Sequence, residues 1–152
     1  MVEEVDDKDK ALMNVMQNFF PISKDPYREI GNKIGLKRKV VISRLEKLYD
    51  MGLIRKVGAI VSARNIGFIS MLAAVSVPED EIEKAAKIIS SYRGVTHNYL
   101  RTGRPNVWFT LTEPNKELLD QHLNEIENKI NSKVIRLPSQ KLYKIGVKFD
   151  IR

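Results

Sequence analysis

Between residues 95 and 110 the chain gathers side chains able to do chemistry, including one of its two histidines and its sole tryptophan. Val95-Thr96-His97-Asn98-Tyr99-Leu100-Arg101 is followed by Thr102-Gly103-Arg104-Pro105 and then by Asn106-Val107-Trp108-Phe109-Thr110. Read with a period of two, this is a pair of strands joined by a turn whose backbone angles come from Gly103 and Pro105. Simple register sets Arg101 opposite Asn106, Tyr99 opposite Trp108 and His97 opposite Thr110. All six then share one face. An imidazole titrates near neutrality and suits proton transfer, and a guanidinium fork suits a carboxylate. Two large rings provide a flat apolar wall. The opposite face carries Val107, Phe109 and Leu111 beside Asn98 and Leu100, as a sheet requires on the side it buries under helices. The polar face is left for a ligand or a partner.

The elements that must hold this hairpin are legible in the spacing of apolar residues and breakers. A first helix spans residues 7–19, with Leu12, Val15, Met16 and Phe19 at helical spacing, and Pro21 stops it. Asp25 caps a second helix with Pro26 in its first turn; Tyr27, Ile30 and Ile34 share a face and Gly35 breaks it. A third helix, residues 37–51, buries Val41, Leu45 and Leu48 and ends at Gly52, a left-handed cap. Residues 53–61 read as a small β-wing, completing a winged helix-turn-helix domain over residues 1–66. The pattern then changes. Residues 68–77 are an apolar strand, and 79–92 a helix with Ile82, Ala85, Ala86, Ile89 and Tyr92 inward. The hairpin follows, then an amphipathic helix over 115–130. Last comes an alternating strand over 142–151, with Tyr143, Ile145, Val147, Phe149 and Ile151 opposed to Lys144 and Lys148. The order β-α-β-β-α-β over residues 67–152 is the ferredoxin-like arrangement, an α+β fold with both helices on one face of a four-stranded sheet. The open face is expected to meet another subunit or a ligand.

Composition narrows the chemistry. With 152 residues, 43% hydrophobic and 30% charged, the chain is an ordinary globular protein. No stretch approaches the roughly 18–20 apolar residues of a membrane span, and the acidic amino terminus does not resemble a secretory signal, so a cytoplasmic location is expected. There is no cysteine, which excludes disulfides, thiolate nucleophiles and thiolate-held metal centres. The net charge is +7, yet residues 1–9 hold five acids and one lysine. The remainder, 25 basic against 14 acidic groups, is therefore near +11. Such a surface attracts a polyanion, whether nucleic acid or a small molecule with many carboxylates.

A winged helix-turn-helix joined to one ferredoxin-like domain resembles the leucine-responsive regulator (Lrp/AsnC-type) family of transcription factors. The hairpin narrows the resemblance: Val95-Thr96-His97-Asn98-Tyr99, Arg101 and Asn106-Val107-Trp108-Phe109-Thr110 look like the signature of the siroheme decarboxylase family, which is built on that scaffold. Gly52-Leu53-Ile54-Arg55-Lys56-Val57-Gly58-Ala59 resembles its wing, and Leu137-Pro138 with Lys141, Tyr143 and Lys144 the motif before its last strand. The similarity covers about residues 8–150. It implies removal of two acetate carboxylates from siroheme to give didecarboxysiroheme, on a route to haem, by two homologous subunits or halves. No added cofactor is implied, the iron belonging to the substrate. Relatives often carry a second histidine where Gly103 stands and an aromatic residue where Pro105 stands. The departure implies either a subunit that contributes one histidine while its heterodimer or homodimer partner supplies another, or a chain less active alone.

The resemblance assigns roles. His97 becomes the proton donor, with axial ligation of the substrate iron as its alternative role. Arg101 holds a spectator carboxylate, Tyr99 and Trp108 wall the macrocycle, and Asn106 supplies a hydrogen bond. Arg104, Arg55, Lys144 and Lys148 are secondary partners for the remaining carboxylates. Tyr99 and Trp108 could instead pack a dimer interface, and the final-strand lysines could be a solvated edge. His122, one turn from Leu118, Leu119 and Ile126, reads as a structural histidine. The rival function is transcription regulation, in which Lys37, Arg38, Lys39, Arg44 and Lys47 bring the third helix to DNA. A third is a subunit that binds a tetrapyrrole without converting it.

Overall fold

A computed structural model describes residues 4–141, 143, 144, 146 and 148–152. The chain forms two compact units, Met1–Ala59 with Lys144–Arg152, and Ile60–Tyr143.

The first unit is built on three helices, α1 (Asp7–Asn18), α2 (Pro26–Ile34) and α3 (Arg38–Asp50). α1 opens with a capping box: the Asp6 carboxylate accepts from the Asp9 N–H at 2.8 Å and the Asp9 carboxylate accepts from the Asp6 N–H at 3.3 Å. At α2, Asp25 caps as expected, accepting from the Arg28 N–H at 3.3 Å, and Gly35 ends the helix in the left-handed region at φ 70°. The turn to α3 is tight enough that a Cβ on Gly31 would run into the Leu36 carbonyl. Leu12, Met13, Ile30, Val41, Leu45 and Leu48 form the core.

Two expectations fail in this unit. No strand forms over residues 53–61. The Leu53 and Ile54 N–H groups instead both donate to the Leu48 carbonyl, at 3.0 and 3.1 Å, so the backbone at residues 53 and 54, where the first strand of the wing would begin, is held against the end of α3. The expected strand over 142–151 is also not formed by its described residues; Leu142, Ile145 and Val147 lie outside them. Phe149 and Ile151 run along α1, where side-chain amides replace a neighbouring strand. Gln17 pairs with the Phe149 backbone at 2.7 and 3.0 Å, and Asn14 with that of Ile151 at 2.9 and 3.2 Å. A period-two pattern marks extended backbone, and here the extended backbone is satisfied by a helix.

The second unit contains β1 (Ile69–Val75), α4 (Ile82–Ser90), β2 (Val95–Leu100), β3 (Val107–Glu113), α5 (Lys116–Ile130) and β4 (Ile135–Pro138). The strands form one sheet in the order β2-β3-β1-β4, with every neighbouring pair antiparallel. The fourth strand is thus the short segment after α5, paired through Leu72–Leu137 and Ala73–Arg136. β3 alternates as a sheet covered on one face must: Val107, Phe109 and Leu111 are buried under the helices with Ile89, Leu119 and Leu123, while Trp108, Thr110 and Thr112 lie on the other face. Full burial of a side chain such as Phe109 is worth about 2–3 kcal/mol. On the open face Leu72, Ile135, Leu137 and Tyr99 are partly exposed. Leu100, expected under the helices, is exposed at the end of the outer strand.

Candidate functional site

The hairpin has the register its sequence requires. His97 pairs with Thr110, Tyr99 with Trp108 and Leu100 with Val107, and the Arg101 N–H donates to the Asn106 carbonyl at 2.7 Å. Asn98 turns to the helix side, its amide donating to the Ala86 carbonyl at 3.1 Å and to Ser90 at 3.0 Å. This fixes the parity of β2, so His97 and Tyr99 lie on the open face with Trp108 and Thr110. The His97 and Tyr99 rings stand 6.1 Å apart, and the Arg101 guanidinium lies 5.7 Å from the centre of the Trp108 ring. That cation–ring contact, worth about 0.5–1 kcal/mol at an exposed site, restrains the fork without occupying its donors. The Trp108 indole N–H is already bonded to the Pro105 carbonyl at 2.9 Å, so the ring offers its apolar surface rather than a donor.

One irregularity was not legible in the sequence. Val95 pairs with Leu111 and His97 with Thr110, leaving Thr96 as an extra residue in a β-bulge. Its hydroxyl lies 3.0 Å from His97 Nδ1, so Nε2 is the ring nitrogen left for a ligand.

The other candidates separate. Asn106 is a structural anchor and not the ligand hydrogen-bonder that the resemblance assigned: its amide donates to the Val77 carbonyl at 2.9 Å and accepts from the Val77 N–H at 3.0 Å. Arg104 lies exposed in the turn beside Gly103, whose φ of 89° requires glycine. Arg55, Lys144 and Lys148 are exposed residues of the helical unit. Of the candidate DNA contacts, Lys37, Arg38 and Lys39 are exposed at the start of α3, with Arg38 3.1 Å from Asp25. Arg44 is withdrawn from that role. It binds Asp6 at 2.7 and 2.8 Å and the fully buried Asp9 at 2.6 Å. Those bonds also hold the Asp6 carboxyl below its ordinary range and raise Arg44.

His122 is tied into the fold as expected. Its Nδ1 lies 2.8 Å from a carboxylate oxygen of the buried Glu113, and its ring meets the edge of Tyr92 at 5.1 Å. Next to this pair, and missed in the sequence, is a cleft of about 430 Å³ reached by Arg93, Thr96 and Thr112. The cleft draws on residues from 61 to 122, so no local motif announces it.

Residues 9–55 match the family model described as the siroheme decarboxylase NirDL-like HTH domain, and residues 65–144 match the AsnC-like ligand binding domain. The chain is 37% identical over 149 residues to a siroheme decarboxylase alpha subunit from Oleidesulfovibrio alaskensis, covering 98% of this chain and 91% of that one. It is 35% identical over 147 residues to the siroheme decarboxylase NirD subunit of Pseudomonas aeruginosa, covering 97% of each. The crystal structure of siroheme decarboxylase NirDL in co-complex with an iron-uroporphyrin III analogue superposes with a TM-score of 0.72 at 26% identity, over 94% of this chain and 48% of that one. This chain therefore spans about half the length of the NirDL protein. The leucine response regulatory protein of Mycobacterium tuberculosis, at 17% identity and a TM-score of 0.78, shares the fold. From hairpin signature to full-length similarity, the chain belongs to the siroheme decarboxylase family.

Proposed function

We propose that the chain is a siroheme decarboxylase subunit that removes acetate carboxylates of siroheme as carbon dioxide, a carbon–carbon lyase working beside a homologous second subunit. The observation supporting it most directly is the hairpin register, with imidazole, guanidinium and two large rings on one open sheet face, in a chain with decarboxylase relatives along nearly its whole length. In the reaction the bond between the acetate methylene and its carboxylate breaks, and the electron pair passes into the macrocycle. Carbon dioxide leaves, and one proton delivered to the methylene carbon completes a methyl group. His97 supplies that proton from Nε2, its Nδ1 being held by Thr96. Arg101 fixes a spectator carboxylate, and Tyr99 and Trp108 wall the macrocycle. An apolar wall disfavours the reacting carboxylate relative to a transition state that disperses its charge.

A partner subunit is favoured by two facts: relatives are named as subunits, and the NirDL protein is about twice this chain's span. With Gly103 in the turn, this chain brings one histidine to its hairpin. The regulator reading loses Arg44, which is bound to Asp6 and Asp9. Anaerobic incubation with siroheme, with and without a homologous partner, followed by mass spectrometry, tests the proposal. Loss of two carbon dioxide units is expected, and unchanged siroheme with every such partner would exclude the activity. His97→Ala should lower turnover at least about a hundredfold, the span general acid catalysis commonly supplies. Retained turnover would remove His97 from the proton-transfer role.

A further inference from the structure

We infer that the cleft beside Thr96 is a carboxylate subsite of the tetrapyrrole face, with Arg93 as its anion-binding residue. The inference rests on the proposed substrate class and adds residues that the hairpin signature does not contain. Thr112 lies two residues from Thr110, the partner of His97, on the same face of β3, so cleft and imidazole are about 7 Å apart along the strand. Thr96 joins them directly, lining the cleft while its hydroxyl meets His97. A ligand lying over Tyr99 and Trp108 therefore has its next substituents at the cleft mouth.

The lining suits an apolar ring edge that bears an acid. Val61, Ile66 and Phe68 present apolar surface and are 67%, 61% and 37% exposed, which is surface a ligand would cover. Arg93 is exposed on the same rim. The cleft's one carboxylate, Glu113, is buried, with an oxygen 2.8 Å from Nδ1 of His122, which also lines the cleft. The wall is closely built, because a Cβ on Gly94 would strike both the Glu113 carboxylate and the Thr112 carbonyl. Thr112 is bonded to Ser70 at 2.8 Å, which leaves Arg93 as the group suited to a bidentate grip on a carboxylate.

Absorbance titration of the full chain with iron uroporphyrin III, alone and with its partner subunit, tests this. Arg93→Gln should raise Kd roughly tenfold, and Arg93→Lys, which keeps charge but loses the fork, should fall between. Ala63→Phe, at another lining position and without a change of charge, should fill the cleft and also weaken binding. Wild-type affinity in both Arg93→Gln and Ala63→Phe would overturn the subsite, and if His97→Ala were inactive at the same time, the decarboxylase reading would stand without it. Absence of iron uroporphyrin III binding by the unsubstituted protein would overturn both.

Discussion

At the scale of single residues, partnership separates groups that hold the fold from groups left to a ligand. Asn106 and Trp108 are neighbours in one signature, yet the Asn106 amide is spent on both backbone groups of Val77, whereas Trp108 spends only its N–H and keeps its ring surface. Asn106→Ala should therefore cost about 1–3 kcal/mol in urea denaturation, the range for leaving backbone groups unpaired. Trp108→Leu should leave that midpoint nearly unchanged and weaken iron uroporphyrin III binding. A stable Asn106→Ala protein with lost binding would reverse the two assignments. Arg44 is the close partner of a buried charge, since Asp9 is fully buried at 2.6 Å from it. Arg44→Met should destabilise the helical unit by about 3 kcal/mol because a buried charge loses its main partner. Asp9→Leu in the same protein should restore much of the loss. If the two substitutions are additive in denaturation, the pair is not coupled.

At the scale of elements, close approach and pairing decide what forms. α2 and α3 pack through Gly31, where any Cβ meets the Leu36 carbonyl, so Gly31→Ala should lower the thermal midpoint by circular dichroism, at a cost of roughly 1–3 kcal/mol. An unchanged midpoint would mean the turn can widen freely. α1 opens on a carboxylate that titrates abnormally. Asp6 is held low first by its side-chain bond to Arg44 and then by the Asp9 N–H. A lowered folded-state value contributes stability that is present above the ordinary aspartate range, about 4, and is lost as pH falls through the lower folded value. Asp6→Asn should accordingly flatten the acid limb of the stability profile, and an unaltered limb would assign acid unfolding to other carboxylates.

At the scale of the whole molecule, a net charge of +7 and a substrate bearing many carboxylates fit the same field. Association with iron uroporphyrin III in stopped flow should slow roughly tenfold from low to high salt, whereas a salt-independent rate would confine electrostatics to the docked complex.

Hydrophobic period, proline, glycine and capping residues determined the helices, the hairpin register and the face that carries His97, Tyr99 and Trp108, because each depends on neighbours within a few residues of chain. The tertiary structure alone decided that 149–151 lies along α1, that β4 is Ile135–Pro138, that Arg44 serves a buried aspartate, and that Arg93 and Thr96 meet Val61, Phe68 and Thr112 at one cleft. Each of those outcomes is a choice of partner for a backbone or charged group across a long sequence separation. Local pattern records that such a group needs a partner, and only packing selects which one.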